Sequence, residues 1–120
     1  KKFKISAGIG KAGSSIVMKG GETIHEQELV QRIRDGDQEA INTLIRNYGH
    51  VLFRVVYGVV KDQKHAEDIT QETFIQILNS LPEYRGQGLR TWMARIAVNK
   101  AIDFKRKAFV RRELVSDQDD

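Results

Sequence analysis

The sequence predicts an all-α fold, a compact bundle of four main helices, on three observations. Apolar residues recur at Ile41, Leu44, Ile45, Tyr48, Leu52, Val55, Val56 and Val59, helical spacing held for about five turns. Breakers stand between such stretches: Asp35-Gly36-Asp37, the polar run Lys61-Asp62-Gln63-Lys64, and the one proline, Pro82, followed by Gly86 and Gly88. At 120 residues, 40% hydrophobic and 30% charged, the chain has apolar material for one modest core.

Residues 1–21 are rich in Gly, Ser and Lys, lack helical periodicity and read as a flexible leader. Met18 is placed as a natural start with vector-derived residues before it; a short hairpin with its own binding role is the alternative. Residues 22–112 form the domain. Its first helix is expected over about Thr23 to Arg34, Thr23 acting as N-cap and Glu26 closing a capping box. Gly36 suits the left-handed residue that ends a helix, and Asp37 can cap the next. That second helix, about Gln38 to Val60, is the central one, with Tyr48 and Phe53 as packing residues.

A third helix is expected from about His65 to Leu81. At 100° per residue, Ile69, Phe74, Ile77, Leu78 and Leu81 share one half, and Asp68, Gln71, Glu72, Ile75 and Asn79 share the other. Ile75 is thus ringed by acids and amides, the make-up of an interface anchor with a polar rim. After Pro82 a glycine-bearing loop leads into a basic helix that extends to about Ala108. Trp92, Met93, Ile96, Ala97 and Phe104 form its packing arc, while Arg95, Asn99, Ile102 and Arg106 form an outward one. Residues 113–120, acidic and polar, read as the start of an interdomain linker.

The net charge of +4 is less informative than its distribution. Residues 1–23 hold five lysines and one acid, whereas the remaining 97 residues balance at 15 basic and 15 acidic groups. Inside that neutral part, Asp62 to Glu83 has five acids and one base, and Arg90 to Arg112 has eight bases and one acid. Such a dipolar domain can hold two different partners on two faces. The stretch from Tyr84 to Lys107 joins a Gly-rich loop, the one tryptophan and a basic helix, which suits single-stranded nucleic acid beside duplex.

Catalysis has no residues to name. His25, His50 and His65 fall on separate helices without metal-ligand spacing, there is no cysteine, and no nucleophile elbow or P-loop occurs, so neither metal nor cofactor is expected. No apolar run reaches the ~18 residues a membrane helix requires, and the chain reads as cytoplasmic.

Four segments in order resemble region 2 of bacterial sigma factors, especially the extracytoplasmic-function group. They are Leu29 to Ala40 (LVQRIRDGDQEA), Ala66 to Ile75 (AEDITQETFI), Tyr84 to Gly86 (YRG) and Thr91 to Asp103 (TWMARIAVNKAID). The resemblance implies a helical promoter-binding domain that docks on the clamp helices of RNA polymerase and captures the non-template strand of the minus-ten element. It puts polymerase binding on Asp68, Gln71 and Glu72, with Ile75 and Asn79 on the same arc. It puts a flipped base at the loop Tyr84, Arg85, Gly86, Gln87, Gly88 and Leu89, and backbone contacts on the helix, through Arg90, Arg95, Asn99, Lys100, Arg106 and Lys107. Trp92 is expected to support the loop from beneath.

Two departures accompany the resemblance. Four residues, Gln87 to Arg90, separate the loop's first glycine from Thr91 where the family usually has five, and Leu89 stands where an aromatic is common. The helix-turn-helix domain that reads the minus-thirty-five element is missing, so the chain looks like an excised region 2. An anti-sigma factor is a further implied partner. Two rival readings stand: a protein-interaction module bound only by an anti-sigma-like partner, and a module for single-stranded RNA.

Overall fold

Asp37 shows how the local sequence sets the architecture. Its carboxylate accepts from the backbone N–H groups of Glu39 (2.9 Å) and Ala40 (3.3 Å), capping the central helix, and from Arg32 Nε at 2.7 Å. Gly36 makes the bend between them at φ 88°, in the left-handed region that glycine enters without a Cβ penalty. One side chain therefore starts a helix and ties it to the helix before.

The computed structural model describes residues 15–17 and 23–119. The elements are strands β1 (Ser15–Val17) and β2 (Thr23–His25), helices α1 (Glu26–Arg34), α2 (Gln38–Val60) and α3 (Gln63–Ser80), a 3-10 turn over Leu81–Glu83, and helix α4 (Leu89–Asp119). The four helices were expected; their ends differ in instructive ways. Helix α2 is the hub, packed against α1, α3, α4 and β1. Its inner face presents Ala40, Leu44, Leu52 and Val56 with no exposed surface, and Tyr48 and Phe53 pack partly buried against that core. Lys61 closes α2 in the left-handed conformation (φ 59°), and Asp62 opens α3 by accepting from the His65 N–H at 2.8 Å. Helix α3 therefore starts two residues before His65, at Gln63.

Helix α3 buries Ala66, Ile69, Thr70, Thr73, Phe74 and Ile77. The two threonine hydroxyls donate to the carbonyls of Ala66 and Ile69, both at 2.7 Å, so a slim side chain is buried with its polar group satisfied. Helix α4 answers with Leu89, Met93, Ala97 and Ala101, spaced by four and fully buried; the two alanines let it lie close to its neighbours.

Three expectations at the ends are corrected. Thr23 is not an N-cap: it lies in β2, paired with Val17, while Ile16 opposes Ile24 and is 3% exposed. The leader thus contributes a strand at residues 15–17 that closes over the core, because the adjacent β-branched Ile16 and Val17 favour extended backbone and Ile16 finds a place in the core. Met18 and the rest of the leader lie outside the described residues. The third correction is the C-terminal segment, where α4 runs on to Asp119 rather than ending near Ala108, so the presumed linker start is helical. Nothing between Leu89 and Asp119 is a glycine or proline, so no residue there breaks the helix.

The Arg32 contact holds the Asp37 carboxyl below the usual carboxylate range, chiefly through the hydrogen bond. A carboxylate whose pKa is depressed by folding stabilises the fold above its unfolded pKa and loses that contribution as pH falls through the folded value. Asp37→Asn, which keeps a competent N-cap but removes the charge, should therefore lower the neutral plateau and flatten the acid side of the stability curve below about pH 4, the two proteins converging at low pH. Urea midpoints measured from pH 7 downward test this, and an acid limb as steep as the parent's would refute it.

Candidate nucleic-acid interface and a second polar face

The loop between α3 and α4 is held at both ends by the short helix α1. At its entry, Arg34 donates from Nε (3.1 Å) and Nη2 (2.8 Å) to the Leu81 carbonyl and from Nη2 (2.8 Å) to the Tyr84 carbonyl. At its exit, one oxygen of Glu26, Oε2, accepts from the Tyr84 hydroxyl at 2.5 Å and from the Leu89 N–H at 3.2 Å. The Tyr84 hydroxyl in turn accepts from the Gly88 N–H at 2.9 Å. The loop is a strap fastened to opposite ends of one helix.

These fastenings decide the role of Tyr84. Its ring is 7% exposed and packs against Trp92, with centroids 4.9 Å apart and planes tilted by 49°. Burial, and then the Glu26 hydrogen bond, push its hydroxyl far above the usual tyrosine range. Burial and then the Glu26 charge likewise push the nearby Tyr48 up to about 12. Tyr84, expected within the base-receiving loop, thus turns its ring inward and offers no stacking surface to solvent. Trp92 is half-buried beneath it, in the supporting place expected from sequence.

What the strap presents outward is Arg85, Gly86 and Gln87, all exposed, with Gly88 partly so. Gly86 (φ 83°) and Gly88 (φ 111°) both sit in the left-handed region, and an added Cβ at either would meet nothing within 4 Å. Backbone conformation, not crowding, selects glycine at both. Gln87 Oε1 accepts from the Arg85 N–H at 3.0 Å, which leaves its amide nitrogen on the solvent side. Arg90 follows on the first turn of α4, exposed, and Arg95, Asn99, Ile102 and Arg106 continue as an exposed stripe.

Two cations expected to join this stripe's residues as backbone contacts, Lys100 and Lys107, lie on a different face of the helix. Lys100 borders the groove between α3 and α4, beside Glu72, Ile75, Gln76 and Asn79, and Lys107 pairs with Asp103 at 3.1 Å on the same side. They lie about 100° around the helix from Arg95, Asn99 and Arg106. Across the groove, Asp68, Gln71, Glu72, Ile75 and Asn79 are all exposed on α3, Ile75 by 61%. Two chemically distinct faces thus meet at Lys100.

The profile of the family described as Sigma-70 region 2 matches residues 44–109. The chain belongs to that family. It is 36% identical over 77 residues to the RNA polymerase sigma-H factor of Pseudomonas aeruginosa, 63% of this chain and 40% of that protein. It is 37% identical over 84 residues to the ECF RNA polymerase sigma-E factor of Escherichia coli, 69% of this chain and 44% of that protein. The chain therefore spans less than half the length of these relatives. A solved structure of an engineered region 2 of sigmaE in complex with GTAAAA superposes with a TM-score of 0.68 at 32% identity, covering 73% of this chain and 93% of that one.

Within this sigma region 2 domain, sequence reasoning missed Glu26 and Arg34. Their partners lie 47 to 63 residues away, and no local pattern announces such a pairing. The family match begins at residue 44 and so leaves both outside it. Among the described residues no group of acids and histidines could hold a metal ion, and no helix is long and apolar enough to cross a membrane.

Arg34→Met should leave the Leu81 and Tyr84 carbonyls without their charged donor and cost about 1.5 kcal/mol, the lower end for hydrogen bonds to charged groups. Urea unfolding at neutral pH reads this directly. A loss under about 0.5 kcal/mol, the scatter of ordinary surface substitutions, would show the three bonds to be incidental.

Proposed function

We propose that this chain is the promoter-reading module of an extracytoplasmic-function sigma factor, a binding domain that supports transcription initiation and performs no chemistry of its own. The observation that carries the reading is the continuity of the exposed loop Arg85 to Gly88 with Arg90, Arg95, Asn99 and Arg106. A strand of nucleic acid laid across them meets donors for a base at the loop and cations for its phosphates along α4. The similarity to the sigmaE region 2 solved with GTAAAA supports single-stranded minus-ten DNA as the ligand.

The second face belongs to a protein. Asp68, Gln71 and Glu72 around the exposed Ile75 give an apolar centre with a polar, acidic rim, suited to the clamp helices of core RNA polymerase. Lys100 and Lys107, from their places beside the α3 acids, act at the border of that contact rather than as strand ligands. An anti-sigma factor would act by covering either face. The domain works inside the cell, where both polymerase and promoter are.

Replacing Asp68 or Glu72 with Lys should weaken binding to core polymerase while changing stability by no more than about 0.5 kcal/mol. Both variants binding core polymerase with parental affinity would sink the assignment of this face.

Salt dependence tests the strand. Each phosphate contact to a single strand contributes roughly 0.7 to the slope of log affinity against log salt, so Arg95→Gln with Arg106→Gln should lower the slope by about 1.4. Lys107→Gln should leave it nearly unchanged. Parental slopes in the double variant would mean that the stripe is ordinary solvated surface.

A further inference from the structure

Glu26 lies outside the residues matched by the family profile, yet one of its oxygens holds both the Tyr84 hydroxyl and the Leu89 N–H. The hydroxyl passes the restraint on to the Gly88 N–H, so three points of the strap depend on one carboxylate. Between these points Arg85, Gly86 and Gln87 are exposed, and their one described polar contact is the short-range tie from the Arg85 N–H to Gln87. Gly86 and Gly88 would leave this segment free to sample many backbone states if the clasp opened, since glycine restricts φ least.

We infer that Glu26 is a positioning residue for strand recognition, which holds the loop in its base-accepting shape before DNA arrives; this rests on the reading of residues 84–89 as the strand-binding loop. The carboxylate touches no base. It acts by removing the ordering cost that a loose glycine loop would otherwise impose on binding. The geometry also gives Tyr84 a function that its burial seemed to deny: its ring anchors the loop against Trp92, and its hydroxyl relays the Glu26 restraint to Gly88. Helix α1 thereby becomes part of the reading apparatus, though no residue of it lies on the exposed loop.

The test compares the parent chain with Glu26→Gln and Tyr84→Phe. The first keeps the shape of the side chain and removes its charge. The second keeps the ring against Trp92 and removes the relay. Two readouts are taken, amide hydrogen exchange at Gly88 and Leu89 in the free protein, and affinity for single-stranded GTAAAA together with its abasic variants, one position at a time. In Glu26→Gln both amides should exchange at least ~10-fold faster, and strand affinity should fall about tenfold, equivalent to ~1.4 kcal/mol. The abasic profile should flatten, because a loose loop no longer favours one position, while the salt slope stays parental because the phosphate contacts are intact. Tyr84→Phe should speed exchange at Gly88 and spare Leu89, whose own bond to Glu26 remains.

Faster loop exchange with parental affinity and an unflattened profile overturns the positioning role while leaving strand binding intact. Parental exchange at Gly88 and Leu89 in Glu26→Gln overturns the clasp itself. A parent chain that binds no single strand overturns the reading beneath, and the inference with it.

Discussion

A single carboxylate oxygen, Glu26 Oε2, governs how the working surface of this domain is arranged. It is placed by α1, which is in turn fixed by the Arg32 to Asp37 contact and by β2, the strand immediately preceding it. Arg34, at the other end of α1, grips the start of the same loop through two carbonyls. A helix of nine residues is too short to be stable alone, so its order comes from packing Leu29, Val30 and Ile33 into the core. The loop is therefore built from the hydrophobic core outward, through a small helix and two charged side chains.

The same construction explains how one small domain presents two opposite electrostatic characters. Helices α3 and α4 pack side by side, and each buries small or slim residues: Thr70 and Thr73 on one, Ala97 and Ala101 on the other. Close packing brings the acidic outer arc of α3 within reach of the cations on the near side of α4, where Lys100 shares a groove with Glu72. Arg95 lies exposed farther around α4, and Asn99 and Arg106 lie between it and Lys100, lining a shallow groove with Gln76 of α3. Separation of the acidic and cationic surfaces follows from helix phase, about 100° of rotation, rather than from distance along the chain.

Much of this was legible in the sequence because it is periodic. The α2 stripe, the inward and outward halves of α3 and the two arcs of α4 all follow from 3.6-residue spacing, and Ile75 could be placed on an exposed face by arithmetic alone. The errors fall where side chains have long-range alternatives to a local motif. Thr23 and Glu26 have the spacing of a capping box, yet β2 claims the threonine and the loop claims the glutamate. Tyr84 sits in a motif that resembles a base-reading loop, but a phenol offered a part-buried carboxylate and an indole packs inward. Lys100 and Lys107 entered with the outward cations through the resemblance to a basic strand-contacting helix, although their helical phase sets them against α3. At the far end, acidic composition suggested a linker, whereas the lack of any breaker let α4 continue.

The loop's mount is almost blind to the residues it carries. Arg34 recognises main-chain carbonyls, Glu26 recognises a main-chain N–H and one phenol, and neither touches the side chains of Arg85 or Gln87. Only the local tie from the Arg85 N–H to Gln87 involves a presented side chain. Frame and exposed tip are thus separable parts. Residues 85 and 87 can be exchanged with little effect on folding, so that the chemistry displayed at the tip can change, by evolution or by engineering, on an unaltered support.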